Sequence, residues 1–145
     1  MLARARNAIA SELGDAQVKE PEHPALHQRG ATFITLTQQG RLRGCIGSIE
    51  AFRPLDQDVR ENARAAAFRD PRFAPLSAGE LAATRVEVSL LTPAEPIHFA
   101  SEEDAVRQLR QGIDGVILES ERHRGTFLPQ VWERLSDPWQ FMSEL

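Results

Sequence analysis

Ala31-Thr-Phe-Ile-Thr-Leu-Thr37, then Gln38-Gln39-Gly40, then Arg41-Leu-Arg-Gly-Cys-Ile-Gly-Ser-Ile49: the fold is decided in this stretch. The first run is rich in β-branched and aromatic residues, the second alternates, and a short polar turn with glycine joins them. This pattern predicts an antiparallel hairpin. Along the second strand Leu42, Gly44 and Ile46 share one face and Arg43, Cys45 and Gly47 the other, unless a bulge shifts the register. Arg43 and Cys45 are then same-face neighbours. Glycine weakens a strand, so two within four residues signal a bulge, a close backbone approach or a bound ligand. Positive charge beside a thiol favours the thiolate, which makes Cys45 a candidate reactive group.

Working outward, Leu2, Ala5, Ile9 and Leu13 recur at helical spacing and Gly14 follows as a stop. Residues 15–30 read as a loop. Leu55 to Arg69 predicts a helix ended by Asp70-Pro71, and its alanines permit close packing. Ser77-Ala-Gly-Glu80 matches a capping box opening a short helix. Arg85-Val-Glu-Val-Ser-Leu-Leu-Thr92 alternates as a strand, with Val86, Val88 and Leu90 on one face and Arg85, Glu87 and Ser89 on the other. Ser101 starts a helix with acids well placed for its dipole, and Gly112 ends it. Val116-Ile-Leu118 and Thr126-Phe-Leu128 read as a second hairpin around a charged turn. Pro129 opens a helix through Val131 and Trp132, and Ser136-Asp137-Pro138 begins a last short helix. The expectation is an α+β fold, a mainly antiparallel sheet built from hairpins and flanked by helices, in one domain spanning residues 1–145.

The 145 residues suffice for a real core, and the net charge of −4 argues against binding nucleic acid through phosphate neutralisation. Sixteen of the seventeen basic residues are arginine, the type suited to bidentate carboxylate or phosphate contacts. A single cysteine cannot close an intrachain disulfide, which fits a reducing cytoplasm. The opening residues are too polar for a secretory signal, and no apolar run approaches the roughly 20 residues that cross a membrane. A cytoplasmic protein without a membrane partner is expected.

Six segments in order resemble the AMMECR domain family: Gly30-Ala-Thr-Phe-Ile-Thr-Leu36, Leu42-Arg-Gly-Cys-Ile-Gly47, Ala66-Ala-Phe-Arg-Asp-Pro-Arg-Phe73, Val86-Glu-Val-Ser-Leu-Leu-Thr-Pro93, Asp114-Gly-Val116 and Phe127-Leu-Pro-Gln-Val131. The second is the family's signature. The resemblance implies an α+β domain, an unestablished biochemical role with a site proposed around the signature cysteine, and company with a Memo-like protein and a radical-SAM protein. The family usually continues past the position of Trp139 with a further helix, so a chain short at its C-terminal end is expected.

Each candidate has a functional and a bland reading. Cys45 is a nucleophile, or a small buried hydrophobe. A nucleophile needs a base, and His23, His27, His98 and His123 all fall in expected loops outside the family motifs. Asp70 and Arg72 hold a ligand, or pair with each other around Pro71. Glu87 is a proton carrier, or a cross-strand partner of Arg43. Asp114 is a ligand group or a turn residue, and Gln130 orients a ligand or starts a helix. Trp132 and Trp139 read as core or partner-facing aromatics. No metal-ligand spacing is present, and no phosphate-loop or dinucleotide fingerprint identifies a cofactor. The leading reading is a small-molecule site: Cys45 and Glu87 as catalytic groups, with Arg43, Gly44, Gly47, Asp70, Arg72, Asp114 and Gln130 binding a small anion. The competing reading is a noncatalytic adaptor for a Memo-like or radical-SAM partner.

Overall fold

A computed structural model of the chain describes residues 1–120 and 122–145. The chain divides into two compact units, Met1–Pro93 and Ala94–Leu145.

In the first unit α1 (Leu2–Leu13) ends at Gly14, whose φ of 69° lets the Asp15 N–H reach the Ala10 carbonyl at 2.9 Å. That six-to-one bond satisfies a carbonyl that the helix end would otherwise strand. The loop that follows contains a short 3-10 turn, Pro24–His27, that the polar composition of the segment concealed. Next come β1 (Ala31–Gln38) and β2 (Arg41–Gly47), joined by a two-residue turn at Gln39 and Gly40. Both have positive φ, 51° and 77°, as a type I′ hairpin requires. α2 (Leu55–Phe68), the short α3 (Ala78–Leu81) and β3 (Thr84–Leu91) complete the unit. The expected capping box is present: Glu80 accepts from the Ser77 N–H at 2.9 Å.

The sheet order is β2-β1-β3, antiparallel throughout. Its core face carries Ile34 and Leu36 of β1, Ile46 of β2, and Val86 and Val88 of β3. These pack with Ala5 and Ile9 of α1 and with Val59, Ala63, Ala66 and Ala67 of α2. The small residues of α2 bring its backbone onto the sheet. A Cβ at Gly44 would lie 2.1 Å from the Ala66 carbonyl oxygen, so only glycine fits there.

One expectation about register is corrected. Leu36 faces Gly44, but Thr37 faces Leu42, so Arg43 is the extra residue of a β-bulge. The bulge moves Leu42 off the core face onto the face of Cys45 and Gly47, where it is exposed. Arg43 drops out of the simple alternation that would have set it beside Cys45.

A buried polar hub anchors the N-terminal half of α2. The fully buried Asp58 carboxylate accepts from the Thr32 N–H and hydroxyl (both 2.7 Å), Ser48 Oγ (2.7 Å), Arg53 Nε (2.8 Å) and Asn62 Nδ2 (3.0 Å). Burying a carboxylate is tolerable here because a cation and four neutral donors replace its water.

The second unit contains α4 (Glu102–Gln108), the hairpin of β4 (Val116–Glu119) and β5 (Arg124–Phe127), a 3-10 turn Pro129–Glu133, and α5 (Pro138–Ser143). α4 stops at Leu109, short of the Gly112 that the sequence suggested, and the expected helix after Pro129 is a 3-10 turn. The charged turn expected between Leu118 and Thr126 includes Glu121, which lies outside the described residues. Trp132 stacks on Phe141 with centroids 3.8 Å apart, and Phe127 meets Phe141 edge-on at 5.2 Å. Trp132 is core, as one of its two readings held, whereas Trp139 is exposed. Among the described residues no helix is long and apolar enough to cross a membrane.

Candidate functional site

Cys45 sits in the middle of β2, and β2 is an edge strand. Its outward backbone groups are therefore unpaired by the sheet, and two side chains take them. The Cys45 N–H donates to Asp70 Oδ2 at 2.9 Å, and Arg72 Nη2 donates to the Cys45 carbonyl at 3.2 Å. Asp70 and Arg72 also bond each other, through Nε at 2.9 Å and Nη2 at 2.7 Å. The Asp70-Pro71-Arg72 turn thus closes the strand edge as a neighbouring strand would. Arg72 beside Asp70, with the Cys45 N–H, holds the Asp70 carboxyl far below the usual carboxylate range. The Arg72 guanidinium is held charged by the same pairing, yet 53% of its side chain stays exposed.

The Cys45 side chain stands on the face away from the helices and is half-buried. Its thiol lies 3.5 Å from Thr35 Oγ1. Thr35 pairs with Cys45 on one side and with Glu87 on the other. Cys45, Thr35 and Glu87 therefore form a row across one face of the sheet, with the outer two strands about 9.5 Å apart. Glu87 is exposed, with Arg85 and Ser89 on its own strand face.

Arg43 is engaged elsewhere. Its Nε and Nη2 donate to Glu80 at 3.0 and 3.3 Å, and only 14% of its side chain is exposed. Glu80 also accepts from Ser77 and Gln38, and the Arg43 guanidinium with the Ser77 donors pulls its carboxyl down to about 2. Arg43 thus pairs with Glu80 of α3, not with Glu87 across strands. Packing accounts for both signature glycines: Gly44 admits α2, and a Cβ at Gly47 would sit 2.2 Å from the Phe33 ring.

Asp114 and Gln130 belong to the second unit. Asp114 accepts from Arg110 Nη2 at 2.7 Å and from the Arg110 N–H at 2.8 Å, which lowers its carboxyl from the ordinary value. Its carbonyl accepts from Trp132 Nε1 at 2.7 Å, so the Asp114-Gly115 turn also orients the core indole. Gln130 is exposed at the start of the 3-10 turn.

Two concavities of about 410 Å³ open in the first unit. One is lined by Arg4, Glu20, Glu22, His27, Asp56 and Arg60, the other by Glu12, Glu61, Arg64, Phe68 and Arg69; Cys45 lines neither. The first holds an ion-pair cluster in which Arg4 bonds Glu20 at 2.7 Å and Glu22 at 2.9 Å, while Arg60 bridges Glu20 and Asp56. It ties the loop after α1 to both long helices. Among the described residues no group of three His, Cys, Asp or Glu side chains could hold a metal.

The sequence model of the AMMECR1 family matches residues 2–145. The chain belongs to the AMMECR1 family. A Methanothermobacter thermautotrophicus protein is 43% identical over 130 residues, spanning 88% of this chain and 68% of its own length. A Saccharolobus islandicus protein is 40% identical over 148 residues, covering 97% of this chain and 65% of itself. The crystal structure of the uncharacterised protein PH0010 from Pyrococcus horikoshii matches with a TM-score of 0.86 at 34% identity, over 99% of this chain and 74% of that one. The chain thus spans about two thirds of the length of these curated relatives. Within residues 42–47, Gly44, Gly47 and Arg43 serve packing and pairing, and Cys45 shares the open face with the exposed Leu42.

Proposed function

We propose that this protein is a small-molecule enzyme whose site is the open face of the first unit's sheet around Cys45. Cys45 is the reacting group, Arg72 holds the anionic end of the substrate, and Glu87 carries a proton. One observation carries the reading. The Cys45 thiol is half-buried on the open face, on a peptide gripped by a guanidinium that stays half exposed. A half-exposed guanidinium beside the Cys45 peptide attracts carboxylates or phosphates.

The test is protection from alkylation. Iodoacetamide should modify Cys45 in the folded protein at pH 7, and a panel of small carboxylates and phosphates should contain members that slow it. R72Q should abolish that protection. A thiol that reacts only on unfolding sinks the proposal.

The second reading is a noncatalytic adaptor for a Memo-like or radical-SAM partner. It is favoured by the packing and pairing roles that Gly44, Gly47, Arg43 and Asp70 already fill. Pull-down with such proteins at micromolar concentration tests it, and no association counts against it.

A further inference from the structure

We propose that the outer edge of β3 is where two copies of this chain join, their β3 strands running antiparallel about a twofold axis at Val86. The interface is independent of the role proposed for Cys45.

The edges of the sheet are unlike. β2 is bulged at Arg43, and its outward groups at Cys45 are taken by Asp70 and Arg72. β3 has neither device. It runs 8 residues without proline, lysine or bulge, the features that blunt an edge. The Cys45 N–H points away from β1, so Thr35 faces Cys45 without hydrogen bonds and turns its own backbone toward Glu87. By alternation Thr84, Val86, Val88 and Leu90 present their N–H and C=O groups outward. Among the described residues only Arg6 reaches them, at the Thr84 carbonyl (3.3 Å). Val86 and Val88 stay half-buried although they face the core, and Leu90 is 51% exposed. The edge therefore lacks a neighbour for its backbone and for its apolar face.

Charge selects a second copy as that neighbour. Same-face pairing of two β3 strands puts the axis at Val86, Glu87 or Val88. An axis at Glu87 sets the two Glu87 carboxylates directly opposite, which is repulsive. An axis at Val88 sets Glu87 opposite Ser89. An axis at Val86 sets Arg85 of each copy opposite Glu87 of the other, as non-hydrogen-bonded pairs whose side chains lie closest. Both residues are exposed, and neither has a side-chain partner among the described residues. The same axis brings Val86 against its copy and Val88 against Thr84, whose carbonyl keeps a second lone pair for the Val88 N–H. Such an interface is isologous, so one strand supplies both halves. The opposed arginine also holds Glu87 ionised, the form that a proton acceptor requires.

Sedimentation velocity of the full chain across the micromolar range tests the interface, each variant being checked for folding by thermal melt. The wild type should show a concentration-dependent dimer. R85E and E87R each turn both attractive pairs into repulsive ones and should weaken the dimer about tenfold. An equimolar mixture of the two variants restores opposite charge at both pairs and should recover the dimer. A wild type that stays monomeric throughout overturns the pairing. So does a dimer that R85E leaves unchanged, or one that mixing fails to recover.

Discussion

At the scale of the residue, glycines with different surroundings should respond oppositely to the same change. G44A drives a methyl into the Ala66 carbonyl, a backbone atom that cannot swing aside. It should destabilise the protein by about 3 kcal/mol in urea denaturation, at the upper end of overpacking costs. G79A places a methyl where nothing lies within 4 Å, in the short helix α3. It should be neutral or stabilising by up to about 1 kcal/mol. The contrast separates backbone proximity from glycine content as the reason for the signature's spacing. Two glycines flanking Cys-Ile signalled a bulge, a close approach or a ligand from the sequence alone, but not which of these, nor what approached. Helix backbone for Gly44 and the cross-strand Phe33 ring for Gly47 are facts of the folded sheet.

Elements are fastened to one another by carboxylates, and these carry a pH dependence with a definite sign. Glu80 joins the bulge of β2, through Arg43, to the start of α3. Its carboxyl is depressed from 4.5 to about 2 in the folded protein. A depressed folded value means the stabilisation is complete above pH 4.5 and is lost as the pH falls toward 2. Asp70, depressed further still, extends the same loss to lower pH. Urea stability should therefore be flat above about pH 5 and decline below it. E80Q should be less stable than wild type at pH 7 and converge on it near pH 2. A difference between the two proteins that does not change from pH 7 to pH 2 would contradict this. The Asp58 hub makes a separate demand. D58A removes the acceptor of five donors, among them Arg53, and should cost about 3–5 kcal/mol in urea denaturation, as breaking a buried pair does. Its sequence signal was visible in principle: Asp58 and Asn62 fall beside Val59 and Ala63 on the buried stripe of α2, where a charge needs a partner.

For the whole molecule, the two units differ in how much core each owns. Thirteen buried apolar residues form one cluster in the first unit, while the second has Val116, Trp132 and Phe141 with partly buried neighbours. A fragment of residues 1–93 should keep a cooperative thermal transition when expressed alone. A fragment of residues 94–145 should not, because so short a chain buries too little surface to offset its ordering entropy. Noncooperative melting of the first fragment would show that its core is insufficient by itself.

Local chemistry made most elements legible before any coordinates. The Leu2–Leu13 helix with its glycine stop, the Gln39-Gly40 hairpin, the Ser77–Glu80 capping box and the β3 alternation all follow from short-range preferences that each segment carries within itself. The family was legible differently, from the resemblance of six ordered segments rather than from any local preference. Tertiary structure alone decided the partners. The bulge at Arg43 depends on how β2 lies against β1, the Asp70–Arg72 grip on Cys45 depends on where the turn after α2 arrives, and the Cys45-Thr35-Glu87 row depends on the register of three strands. Periodicity specifies which face a side chain takes. It does not specify which residue stands opposite, because register is set by long-range packing and one extra residue in a strand changes every neighbour beyond it.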